Sequence, residues 1–114
     1  MDHKLFGLKK GDIQNIISVL QSEKTVEEAI IFGSRAKGNY SEGSDVDIAL
    51  KGKNLSLQLI GHISFLLNEE TLMPYRFDVI NYHSIKSGEL MAHIDRVGEI
   101  IYSPGITGLD EEMS

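Results

Sequence analysis

The chain has 114 residues, a net charge of −6 and no cysteine. That length suits one domain burying about two thirds of its unfolded surface, and the acidic balance argues against a surface that grips nucleic acid electrostatically. Disulfides and thiolate metal sites are excluded outright, no apolar run approaches the ~20 residues of a membrane span, and Met1-Asp2-His3-Lys4-Leu5-Phe6-Gly7 lacks a signal-peptide core. The expectation is a cytoplasmic protein with no membrane partner.

In chain order, Asp12 is expected to cap a first helix carrying Ile13, Ile16, Ile17 and Leu20 at helical spacing. Ala29-Ile30-Ile31-Phe32 is a short apolar run bounded by Glu28 and a Gly-Ser turn, the pattern of a buried strand. A polar loop, 39–43, leads to a strand over about 45–51. A second helix over roughly 55–69 buries Leu59, Ile63, Leu66 and Leu67, with Gly61 a mild weakness in it. Pro74 breaks the chain before a strand at 76–82. A third helix, about 84–96, sets Leu90, Ile94 and Val97 on one face and ends at Gly98, and Glu99-Ile100-Ile101-Tyr102 forms a last strand. The expected organisation is one domain over 1–103 and a mobile acidic tail over 104–114. Helices alternating with strands around one sheet indicate an α/β or α+β fold.

The chemistry concentrates at Gly33-Ser34, followed after ten residues by Asp45-Val46-Asp47. Residues two apart on a strand project from the same face, so Asp45 and Asp47 stand side by side while Val46, Ile48 and Leu50 face the core. Two carboxylates that close repel by about 4 kcal/mol at 4 Å for an effective dielectric near 20. A cation between them relieves this, and magnesium commonly bridges one or two carboxylates to substrate phosphates. Gly33 allows a tight turn and close approach to an anion. Ser34, with Arg35-Ala36-Lys37 behind it, can open a short helix facing a phosphate, with Arg35, Lys37 or both adding positive charge. A phosphate cradle beside an acidic pair is the equipment of phosphoryl or nucleotidyl transfer. His3, His62, His83 and His93 show no pairing at metal-ligand spacing and are expected at the surface or partly buried.

The run Ile31-Phe32-Gly33-Ser34-Arg35-Ala36-Lys37-Gly38, followed by Ser44-Asp45-Val46-Asp47, resembles the nucleotidyltransferases of the DNA polymerase beta superfamily. It is most similar to their shortest branch, the minimal nucleotidyltransferases, or MNT proteins. That family carries a third carboxylate on a later strand, and Asp78 in Arg76-Phe77-Asp78-Val79-Ile80 matches it. The resemblance implies a mixed sheet with helices packed on one side. It further implies a site in which Gly33, Ser34, Arg35 and Lys37 bind the nucleotide while Asp45, Asp47 and Asp78 serve as metal ligands and catalytic acids. Two magnesium ions are implied, with manganese or zinc as alternatives, and ATP as substrate. Asp78 either shares the acceptor-side ion or acts as general base.

MNT proteins are typically paired with a small all-helical HEPN toxin and transfer AMP to a tyrosine hydroxyl on it. The resemblance therefore implies a protein adenylyltransferase acting as antitoxin, with the toxin as partner and substrate. Direct nucleic-acid binding is not expected, and a homo-oligomer is compatible with the chain. Two other readings stay open. One is small-molecule nucleotidyl transfer with a helical partner completing the acceptor pocket. The other is a non-catalytic antitoxin that neutralises by binding.

Overall fold

A computed structural model describes residues 5–104. Its elements are α1 (Lys10–Gln21), β1 (Glu28–Phe32), α2 (Gly33–Lys37), β2 (Val46–Lys51) and α3 (Leu57–Phe65), which runs on into a π-helical turn (Leu66–Glu70). They are followed by β3 (Phe77–Asn81), a 3₁₀ turn (Tyr82–Ser84), α4 (Gly88–Val97) and β4 (Glu99–Tyr102). The tail expected from 104 onward lies, past Pro104, outside the described residues.

The four strands form one mixed sheet in the order β3-β2-β1-β4, antiparallel except for the parallel pair β2–β3. Alternation along β2 sends Val46, Ile48 and Leu50 to one face, where they are wholly buried with Ile16 and Leu20 of α1 and Ile60 and Ile63 of α3. Leu67 of the π turn joins the same core.

The one-sided covering expected of this sheet is incomplete, because β1 is apolar on both faces. Its Ile30 and Phe32, with Ala49 of β2, form a second small core under Ile94 of α4. Gly98 makes that approach possible: a Cβ there would lie 2.6 Å from Ile30 Cγ2. So α4 is held over the face that carries Asp47.

Two further expectations are refined. Asp12 caps α1 from inside its first turn, its Oδ2 accepting the Lys9 N–H at 3.0 Å, and it also accepts the Tyr75 hydroxyl at 2.7 Å. The second helix turns π-helical at its end, and this brings Asn68 against the edge of β3. There its amide donates to the Phe77 carbonyl at 3.0 Å and accepts the Phe77 N–H at 2.8 Å, satisfying backbone groups that the edge would leave unpaired. No helix among the described residues is long and apolar enough to cross a membrane.

Candidate active site

Three chain segments meet at one end of the sheet. β1 ends at Phe32, whose register partner is Asp47, and Asp47 is in turn the register partner of Asp78 on β3. Adjacent strands lie about 4.8 Å apart, so Asp47 and Asp78 are neighbours by backbone construction. Asp45 precedes β2 by one residue and shares the face of Asp47 by alternation. Asp45 and Asp78 are exposed, and Asp47 between them is half-buried.

The electrostatics follow from that placement. Burial, then the charges of Asp78 and Asp45, push the Asp47 carboxyl up from 3.8 to about 6, with Arg35 pulling the other way. The site thus holds uncompensated negative charge, the donor chemistry that suits a magnesium-like cation with oxygen ligands. Among the described residues no three acidic, histidine or cysteine side chains form a finished cage. A cation would be gripped by rotation of the carboxylates on this backbone frame, with Asp47 and Asp78 as the natural pair and Asp45 the third.

The turn beside the acids is equally constrained. Gly33 has φ +76°, the left-handed region, and a Cβ on it would overlap Asp47 Oδ2. Only glycine satisfies both conditions at low cost. Ser34 follows as the second residue of α2, half-buried, its hydroxyl making no hydrogen bond among the described residues. Lys37, the last residue of α2, is exposed.

Arg35 departs from expectation. It is 2% exposed, and its guanidinium is spent on backbone carbonyls: Phe6 at 2.8 Å, Ser44 at 2.9 and 3.2 Å, and Glu42 at 3.4 Å. Tyr40 and Tyr75 lie on the cation at 5.3 and 5.2 Å from their ring centroids. Its work is to fasten the segment before α1 and the loop that delivers Asp45, and a phosphate would find its donors occupied. Arg35 is therefore corrected from a nucleotide contact to a structural residue that also bears on the charge of Asp47.

His93, expected as a surface or partly buried residue, is partly buried and also reaches the glycine-serine turn. His93 of α4 accepts the Gly33 N–H on Nε2 at 3.1 Å, and its ring meets Phe32 edge-on at 6.2 Å. The other two described histidines lie elsewhere. His83 Nε2 accepts the Gly52 N–H at 3.1 Å, and His62 faces Glu23 at 3.6 Å.

A mixed β-sheet with an acidic pair at the start of one strand, a third acid in register on the next and a glycine-serine turn at the end of a neighbouring strand defines a nucleotidyltransferase core. Residues 14–105 match the family described as "Polymerase beta, Nucleotidyltransferase", and the chain belongs to that family. No curated protein matches it in sequence.

Several solved structures share the fold. One is a toxin–antitoxin crystal structure with AMP-PNP, at 21% identity and a TM-score of 0.68, covering 89% of this chain and 78% of that one. A second is a complex of tri-AMPylated Shewanella oneidensis HEPN toxin with MNT antitoxin, at 19% identity and a TM-score of 0.64, covering 91% and 77%. The toxin–antitoxin MntA-HepT structure matches at 19% identity and a TM-score of 0.64, covering 92% and 79%.

Proposed function

We propose that this chain is an MNT-type antitoxin that moves AMP from ATP, with a divalent metal, to a hydroxyl of a partner HEPN toxin, a tyrosine being the intended acceptor. The observation that carries this reading is the in-register pair Asp47–Asp78 with Gly33 packed against Asp47. The fold-sharing complex that contains an AMPylated HEPN toxin supports the choice of transferred group and partner, and the complex with AMP-PNP supports a triphosphate donor.

Asp45 and Asp47 would hold the cation that the triphosphate brings, and Asp47 and Asp78 would hold one on the acceptor side. Divalent cations bound there would supply charge neutralisation on the attacking and leaving oxygens and would lower the pKa of the acceptor hydroxyl. Ser34 donates its unengaged hydroxyl to a phosphate oxygen. Lys37 lies at the far end of α2, where it meets the outer phosphates. Asp78 orients the acceptor hydroxyl or takes its proton.

Asp78 also lines an open groove of about 750 Å³ between α3, the π turn and β3, together with Phe65, Asn68, Glu69 and Arg76. An acceptor carried on another protein reaches Asp78 from that side. The reading also places the protein in the cytoplasm with its toxin.

Incubation with the toxin, ATP and magnesium, followed by intact-mass spectrometry, tests this. A gain of one or more AMP masses on the toxin is expected. Binding with no mass gain selects neutralisation by docking, and transfer to a small alcohol selects a small-molecule enzyme.

A further inference from the structure

The first N–H of the glycine-serine turn is already engaged within the protein. It donates to His93 Nε2, at 3.1 Å and across 60 residues of sequence. We infer that His93 is a positioning residue for the nucleotide turn. It tethers Gly33 to α4, so that the Ser34 hydroxyl and the Asp47 carboxylate hold their places. This rests on the nucleotidyltransferase reading of the site and adds to it a residue that no motif contains.

Gly33 is the residue most in need of such a tether. Glycine populates more backbone conformations than any other residue, and Gly33 sits in the left-handed region with the Asp47 carboxylate against its Cα. Contact with Asp47 limits it on one side, and the hydrogen bond to His93 limits it on the N–H side.

His93 is itself well anchored. Its ring lies edge-on to Phe32, and the next residue, Ile94, is buried with Ile30, Phe32 and Ala49. Gly98 closes α4 onto β1. A ring nitrogen that accepts a hydrogen bond carries no proton, so the tether requires the tautomer with its proton on Nδ1. The Gly33 N–H is then unavailable to a phosphate, and the turn serves the nucleotide through Ser34 and the residues after it.

The tether and its consequence are read separately. In ¹⁵N-labelled protein, a scalar coupling across the hydrogen bond should link the Gly33 amide nitrogen to His93 Nε2, with Nε2 unprotonated. A protonated Nε2, or no coupling in a well-resolved spectrum, overturns the inference.

Titration with a magnesium complex of a non-hydrolysable ATP analogue then measures the consequence. His93→Leu should weaken binding by about threefold to tenfold, the range set by loss of one neutral hydrogen bond. His93→Gln, whose amide oxygen can reach the Nε2 position, should restore most of it. If His93→Leu does not fold, His93→Asn, polar but one bond shorter than Gln, takes its place with the same expected loss. Wild-type affinity in the folded Leu or Asn variant overturns the positioning role and leaves the nucleotide reading standing. A wild-type protein that binds no analogue overturns both.

Discussion

A side chain at Gly33 would collide with the carboxylate of Asp47. The glycine of the turn and the central acid of the site are thus one packing unit, although fourteen positions separate them in the chain. Substitution at Gly33 should therefore injure the site twice. Gly33→Ala forces a Cβ into the left-handed region, at a cost of about 1–2 kcal/mol, and displaces the Asp47 carboxylate. Triphosphate binding should suffer more in Gly33→Ala than in Ser34→Ala, which removes a single hydroxyl. Calorimetric titration with a non-hydrolysable ATP analogue compares the two, and unchanged affinity in Gly33→Ala would place the phosphates elsewhere.

Asp47 should impose a pH dependence on stability whose sign is fixed by its raised pKa. The folded carboxyl titrates at about 6 and its ordinary value is 3.8, so the folded state binds the proton more tightly than the unfolded one. Below pH 3.8 there is no penalty. The penalty grows as pH rises from there and is complete above about 6. The shift taken alone corresponds to about 3 kcal/mol, but the carboxyl is only half-buried, and solvent screening reduces this to roughly 1 kcal/mol. Denaturant midpoints measured without divalent metal should fall across that window. Asp47→Asn should flatten the dependence and leave stability at neutral pH level or slightly raised. Added magnesium should stabilise the wild type above pH 6 and do little for Asp47→Asn. A variant that unfolds, or that keeps wild-type turnover, would count against the site.

Arg35 offers a test of structure against ligand binding. Its guanidinium bonds three backbone carbonyls and stacks with two tyrosines while 2% exposed. Arg35→Ala should cost about 2–4 kcal/mol, because it leaves buried acceptors unpaired. Arg35→Lys should recover little, since one ammonium cannot reproduce the planar fork. Urea denaturation gives the loss directly. Loss of nucleotide affinity with unchanged stability would return Arg35 to the phosphate site.

What could be read from the residues, and what could not, follows the physics of each interaction. The strand pattern showed Asp45 and Asp47 on one face, because period-two alternation is written in the apolar residues between them. The last strand, Glu99–Tyr102, lies where its apolar run and the preceding Gly98 put it. Asp78 in register with Asp47 needed the family resemblance, since parallel pairing between distant strands leaves no local mark. The burial of Arg35 was invisible because its partners are carbonyls, which every residue carries. His93 was invisible for the same reason: its partner is a glycine N–H. The second small core under α4 was hinted at by Ile30 and Phe32 alternating with Ala29 and Ile31, a β1 with no polar face.

The division of labour among the acids gives the sharpest test of the proposed chemistry. Asp47 lies between Asp45 and Asp78 and faces the turn, so both proposed ion positions depend on it, whereas Asp78 stands on the edge strand β3 and opens to the groove. Asp78→Asn should leave affinity for the magnesium–ATP complex nearly unchanged while the transfer rate falls by at least 10²-fold, the lower range for loss of a general base. Asp45→Asn and Asp47→Asn should lose both properties. Asp78→Asn should also still bind the toxin, because its contribution is to the reaction and not to docking. In cells carrying the toxin, that variant should bind it and fail to protect. Full protection by Asp78→Asn would mean that neutralisation works by binding alone, and the enzymatic account would fall with it.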